Sequence, residues 1–134
     1  MSTFPTPEWA QAIMAKLNSD DRYADIARNW EGDICFIIDP GGPIREQTFI
    51  YMDLWHGKCL NVVFGPDLTK LKPAFGLRAP YENFVRILKG ELHPMQAMMT
   101  RKLQVQGNMS VMMRSIPVVL DFVRCAKEVT DDYL

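Results

Sequence analysis

The sequence predicts an α+β domain, and three observations carry that expectation. The hydrophobic pattern is helical up to residue 32, strand-like from 33 to 64, and mainly helical again from residue 80, with one alternating run at 102–106. Turn-forming clusters at 39–43 and 65–67, with His56-Gly57-Lys58 between them, cut the middle stretch into separate strands. The chain has 134 residues, 48% hydrophobic and 23% charged. That is enough for one core in a single domain spanning 1–134, and ordinary for a soluble globular protein.

Thr6-Pro7-Glu8 opens the first helix: threonine caps, proline suits the first helical position, and glutamate complements the positive end of the dipole. Trp9, Ile13 and Leu17 then recur every four residues as one apolar stripe. Asn18-Ser19-Asp20-Asp21 breaks this helix and starts a second, with Tyr23, Ile26 and Trp30 on one face and Gly32 as its stop. Residues 33–39 are apolar at every interior position. Ile34, Phe36 and Ile38 face one way, Cys35 and Ile37 the other, so this is a central strand covered on both faces.

A second strand over 48–56 puts Phe49, Tyr51, Asp53 and Trp55 on one face and Ile50, Met52 and Leu54 on the other. The connection at 56–58 is tight, so a strand over 59–64 pairs antiparallel with it. Gly65-Pro66-Asp67 turns the chain again. Residues 71–79 form a strand that Pro73 pushes to an edge or a strand start, with Gly76 marking a bulge or a close approach.

The helix over 80–89 carries Tyr81, Phe84, Val85 and Leu88 at helical spacing, and Gly90 ends it. His93-Pro94 begins a short helix with Met95, Met98 and Met99. Residues 102–106 alternate, with Leu103 and Val105 inward. Gly107-Asn108 turns into a last helical region whose stripe is Met109, Met112, Met113 and Ile116. Pro117 cannot bond to the carbonyl of Met113, so a kink or break is expected there. Val119, Leu120 and Val123 continue the apolar face, and Asp131-Asp132 are expected to fray.

Lys+Arg number 15 against 16 Asp+Glu, a net charge of -1. No field of one sign results, which argues against nucleic acid as a partner. No run approaches the roughly 18 apolar residues of a spanning helix. The opening MSTFPTPEWAQ lacks the basic and apolar regions of a secretory signal. Asp132-Tyr133-Leu134 is not the S-K-L peroxisomal address, so the expected location is cytoplasmic. Cys35, Cys59 and Cys125 make an odd count without CxxC spacing. They read as small buried hydrophobes, not as a disulfide scaffold or a zinc site.

Groups able to do acid, base or nucleophilic work are few. No HExxH, phosphate loop or GxSxG elbow occurs, and no catalytic residue, metal or cofactor is expected. Two alternatives stay open. One is an enzyme on an apolar substrate with Asp53 or His93 as base, which needs the face of Asp53 to be internal; alternation alone does not tell inside from outside. The other is an interaction module whose apolar face pairs two copies as a homodimer. The positive signal is methionine: six of the nine lie within 79–113, at helical spacing that suits either a plain core or a wall that must fit varied apolar shapes.

Over 81–113 the chain resembles the sterol carrier protein 2 family. The resemblance rests on the aromatic-rich helix, the stretch Gly90-Glu91-Leu92-His93-Pro94-Met95, and the basic alternating run from Arg101 through Gln106 into Gly107-Asn108-Met109. It extends over roughly 33–123, taking in the aspartate-flanked strand at 33–39. It implies a five-stranded, mostly antiparallel sheet covered by helices, with an internal apolar cavity. It implies non-catalytic carriage of apolar lipids: fatty acid, fatty acyl-CoA, sterol or phospholipid. The wall positions it implies are Phe84, Leu88, Met95, Met98, Met99, Val105, Met109, Met112, Met113, Ile116 and Leu120. Arg78, Arg86, Lys89, Arg101 and Lys102 are candidates for an anionic head group or ordinary solvated charges. Lipid is the expected partner, with contact to a membrane surface transient. Neither the peroxisomal address nor the enzyme partner domain of some members is expected here.

Overall fold

The computed structural model describes residues 2–66, 68 and 70–134. Its first two helices begin where the capping chemistry places them. The Thr6 side chain accepts from the Trp9 amide (3.2 Å) and starts α1, Pro7–Ser19, with Trp9, Ala10, Ile13 and Leu17 buried along one stripe. Asp20 does the same for Tyr23 (2.9 Å) and opens α2, Asp21–Ile26. This helix is shorter than the sequence predicts. The Arg28 guanidinium donates to the Asp25 carbonyl (2.8 Å), and Trp30 reaches the core from the turn that follows.

The main sheet has five strands in the order β4-β3-β2-β5-β6. These are β2, Ile34–Asp39; β3, Thr48–Trp55; β4, Lys58–Gly65; β5, Phe75–Pro80; and β6, Gln104–Gln106. β2/β3, β3/β4 and β5/β6 pair antiparallel, while β2/β5 pair parallel. The sheet is therefore mostly antiparallel, and β2 is central with both faces buried, as its unbroken apolar run requires. β5 is not at the edge. Pro73 precedes the ladder, so the strand-start reading of that proline holds and β6 takes the edge. Gly76 is a close approach: a Cβ there would sit 2.7 Å from the Gln106 side chain. Gly57, at φ +80°, lets the β3–β4 hairpin press on α2, where a Cβ would lie 2.7 Å from the Ala24 carbonyl oxygen. Of the predicted 65–67 turn, Asp67 lies outside the described residues.

The remaining helices cover one face of this sheet. They are α3, Tyr81–Leu88; α4, Pro94–Met99; α5, Met109–Arg114; and α6, Ile116–Val129. The chain breaks at Ser115 between α5 and α6, just ahead of Pro117, for the reason the missing amide gives. The expected fraying at 131–132 is corrected. β1, Thr3–Phe4, and β7, Asp132–Tyr133, form a parallel pair, and Asp131 exchanges two bonds with Ser2, Oδ2 accepting from its amide (2.9 Å) and N–H donating to its carbonyl (2.8 Å). The Tyr81 hydroxyl donates to the Leu134 carbonyl (2.7 Å), tying the same end to α3.

An ionic cluster clamps α6 to the α1–α2 junction. Arg124 bonds Asp121 (2.8 Å), Asp20 (2.7 Å) and Glu128 (2.6 Å); Lys16 pairs with Asp20 and Glu128; Arg22 pairs with Asp121. Arg124, then the Tyr23 amide, hold the Asp20 carboxyl well below the usual carboxylate range. A carboxyl depressed by folding stabilises above its unfolded pKa, about 3.8, and that contribution is lost as pH falls through the lower folded value. Asn caps as well as Asp. Asp20→Asn is thus expected to show a flatter fall in Tm than the parent between about pH 5 and pH 2, measured by circular dichroism.

Candidate apolar binding site

Between the sheet and α6 lies an apolar cavity of about 80 Å³. Its floor is the helix-facing side of the sheet: Ile34, Phe36 and Ile38 from β2, Ile50 and Leu54 from β3, and Leu77 from β5. α3 contributes Phe84, Ile87 and Leu88, and α6 contributes Val118, Val119, Phe122, Val123 and Ala126. Phe4, Trp9, Tyr23, Trp30, Pro94 and Leu103 complete it. Phe36 stacks on Phe122 (centroids 5.5 Å apart) and meets Phe84 edge-on.

No polar atom contributes to the surface of this cavity, because the polar ends of its aromatic residues are turned elsewhere. Trp9 Nε1 donates to Thr130 Oγ1 (2.8 Å) and Trp30 Nε1 to the Gly32 carbonyl (2.8 Å). Burial pushes the Tyr23 phenol up, so it stays neutral. Burial likewise pushes the thiols up, Cys59 to about 12 and Cys35 and Cys125 to about 11. All three are free and protonated at neutral pH, without the thiolate that nucleophilic attack needs. Asp53 alternates with Met52 and Leu54, and so lies on the sheet face away from the cavity. His93 is exposed and caps α4, its Nδ1 accepting from the Met95 amide (3.1 Å). Asp20, Asp121 and Cys125 converge within metal-ligand spacing, but the two carboxylates are already held by Arg124, Arg22 and Lys16.

Of the side chains named from the sequence, Phe84 and Leu88 line the cavity. Met98 and Met112 are fully buried in the same core without reaching the void, and Val105 and Met113 pack against it partly buried. Ile116 is half-buried. Met95, Met99, Met109 and Leu120 are exposed, Met99 by 68%. The helix break explains the shift. The sequence stripe Met109–Met112–Met113 joins Ile116 and Leu120 only if one helix runs on through Ser115, but the chain breaks there and α6 starts in a new phase at Ile116. Its inward stripe is Val119, Phe122, Val123 and Ala126. The floor residues are legible in the sequence as the face of β2 and β3 that alternates with Cys35, Ile37 and Asp53.

The two walls differ. The floor residues Ile34, Ile38, Ile50, Leu54 and Leu77 are buried, whereas Val118, Val119, Phe122 and Val123 on α6 are only partly so. In α5 only Met112 is buried. Trp9 and Trp30 face the cavity while Trp55 is 48% exposed. A Trp55→Phe variant is therefore expected to keep any ligand-induced change in tryptophan emission. Loss of that change would place the ligand on the outer face.

The sequence pattern of the SCP-2 sterol transfer family matches residues 10–119. No curated protein sequence matches the chain significantly. Among solved structures, a crystal structure of sterol carrier protein 2 superposes with a TM-score of 0.84 at 26% identity, covering 93% of this chain and 98% of the other. A conserved hypothetical protein of Thermus thermophilus, described as a candidate sterol carrier protein, gives 0.85 at 26% identity, covering 97% and 93%. Palmitated SCP2L2 from Aedes aegypti gives 0.61 at 17% identity, covering 85% and 94%, a likeness of fold alone.

Proposed function

The chain belongs to the SCP-2 sterol transfer family, and from that premise we propose that it is a non-catalytic carrier of apolar lipid, held in the cavity beneath α6. The observation that carries this reading is a cavity walled only by apolar side chains, with its neighbouring polar groups turned away. Such a site supplies burial and nothing else. Each methylene taken from water contributes about 0.8 kcal/mol, so a long acyl chain offsets the roughly 4–15 kcal/mol cost of association. Selectivity among chains is weak, since one methylene discriminates by about 1–3 kcal/mol. Fatty acid, fatty acyl-CoA, sterol and phospholipid all fit this chemistry. No residue is assigned acid, base or nucleophilic work.

At about 80 Å³ the cavity is well below the roughly 300–1,000 Å³ of sites that hold ligands of drug size. A lipid therefore enters as one wall moves. The wall that yields is α5 with the first half of α6, because its side chains are part-exposed and the ionic clamp lies at the other end. That movement brings Met112, Met113 and Ile116 to the ligand beside Phe84 and Leu88. Within the described residues no helix is long and apolar enough to cross a membrane. The proposed carrier works in the cytoplasm and meets membranes transiently.

Native mass spectrometry of the purified protein, followed by organic extraction, tests this. A stoichiometric, heterogeneous set of acyl lipids is the expected result. A clean apo mass with no uptake of added fatty acid or sterol would overturn the carrier.

A further inference from the structure

Beside the apolar cavity runs a groove of about 450 Å³, between the turn that ends α2 and the α5–α6 junction. Ile26, Asn29, Trp30 and Glu31 line it from the first segment, and Val111, Arg114, Pro117 and Val118 from the second. Trp30 and Val118 also line the cavity, so the dry interior and the polar groove meet at these two side chains.

Arg114 is the one cation on the groove, and it forms no ion pair among the described residues. None of Arg78, Arg86, Lys89, Arg101 and Lys102 lines it. Glu31 is the one acid there, and its Oε2 is held 2.6 Å from His56 Nε2. Asp25 pairs with Arg28 (3.4 Å), and Asp21 starts α2 at the end away from Ile26; neither lines the groove.

The cavity itself cannot take a charged head. A carboxylate or phosphate moved into it would have no polar partner, and burying an unpaired charge costs far more than the site returns. The head of an anionic lipid must therefore stay at a wet rim that adjoins the interior. Resting on the carrier reading, we propose that this groove is the head-group subsite. Arg114 holds the carboxylate or phosphate of a single-chain anionic lipid, whose acyl chain passes beside Trp30 and Val118 into the cavity. A guanidinium suits both anions, since its fork of N–H donors matches two of their oxygens.

Competition against a neutral fluorescent alkyl probe in vesicle-free buffer tests this with palmitate, palmitoyl lysophosphatidic acid and hexadecanol. The parent is expected to bind at least one anion roughly tenfold more tightly than hexadecanol, by a margin that salt reduces. Arg114→Gln is expected to lose that margin while keeping hexadecanol binding and the melting midpoint. The anion that loses more names the head, carboxylate or phosphate. Arg101→Gln removes the same charge outside the groove and is expected to change nothing. Glu31→Gln is expected to hold the anions at least as tightly as the parent. A loss there matching that of Arg114→Gln would mean that Arg114 acts through Glu31, and overturns the subsite. So does a parent with no preference for either anion, or an Arg114→Gln loss shared equally by hexadecanol or by Arg101→Gln. A parent that binds none of the three overturns the carrier itself.

Discussion

Arg124→Met is expected to unfold at a midpoint roughly 10 °C below the parent. Asp121 is 3% exposed, and its carboxylate is held chiefly by Arg124, with Arg22 as a more distant and more exposed partner. Removing Arg124 leaves a buried charge with Arg22 alone, and leaves Asp20 and Glu128 to Lys16 alone. Breaking a buried pair on one side costs about 3–5 kcal/mol. The lower figure applies, since Arg22 remains and Arg124 is partly solvated. For a chain of this size each kcal/mol moves the midpoint by roughly 3–4 °C. The double variant Asp121→Leu, Arg124→Met removes both charges and is expected to recover most of the loss. Thermal melts followed by circular dichroism separate the two. Equal melting of the single variant and the parent would show that the clamp contributes nothing.

Val119→Trp is expected to weaken uptake of a fluorescent fatty acid roughly fiftyfold while leaving the melting midpoint at or above that of the parent. Val119 reaches the cavity from α6 and is itself only partly buried, so an indole can fill the void without overpacking the floor. Excluding about three methylenes of ligand forfeits about 2.4 kcal/mol, which gives that factor. Val119→Ala is the control, expected to bind at least as well as the parent. A variant that binds normally while melting normally would put the lipid elsewhere. One that melts far lower would report damage to the fold.

The fold was legible where a local rule and the tertiary contact agree. Trp9, Ile13 and Leu17 sit on one stripe because α1 has one buried side. The two-faced run of β2 could only be central. The parallel pairing of β5 was not legible, because nothing local to residues 75–80 records which strand it meets. The pairing of β1 with β7 escapes sequence reasoning for the same reason: dipeptides near opposite ends of the chain carry no periodicity. At the site, two of the wall positions that the resemblance implies, Phe84 and Leu88, line the cavity. The methionines did not follow. Helical spacing gives a stripe but not its direction, and the break at Ser115 changed the phase before Leu120.

The covering of the sheet by α6 also bears on how the chain is made. α6 is synthesised after every strand it covers, so Ile34, Ile38, Ile50 and Leu77 leave the ribosome with their apolar face unprotected. The contacts that finally bind α6 to α1, the Trp9–Thr130 bond and the Lys16–Glu128 pair, span more than a hundred residues of sequence. Such distant closures form slowly. During synthesis the interval before closure is the one in which strand edges can pair with a neighbouring chain. The same apolar lining that suits a lipid carrier therefore makes the unfinished polypeptide dependent on chaperone cover or rapid completion.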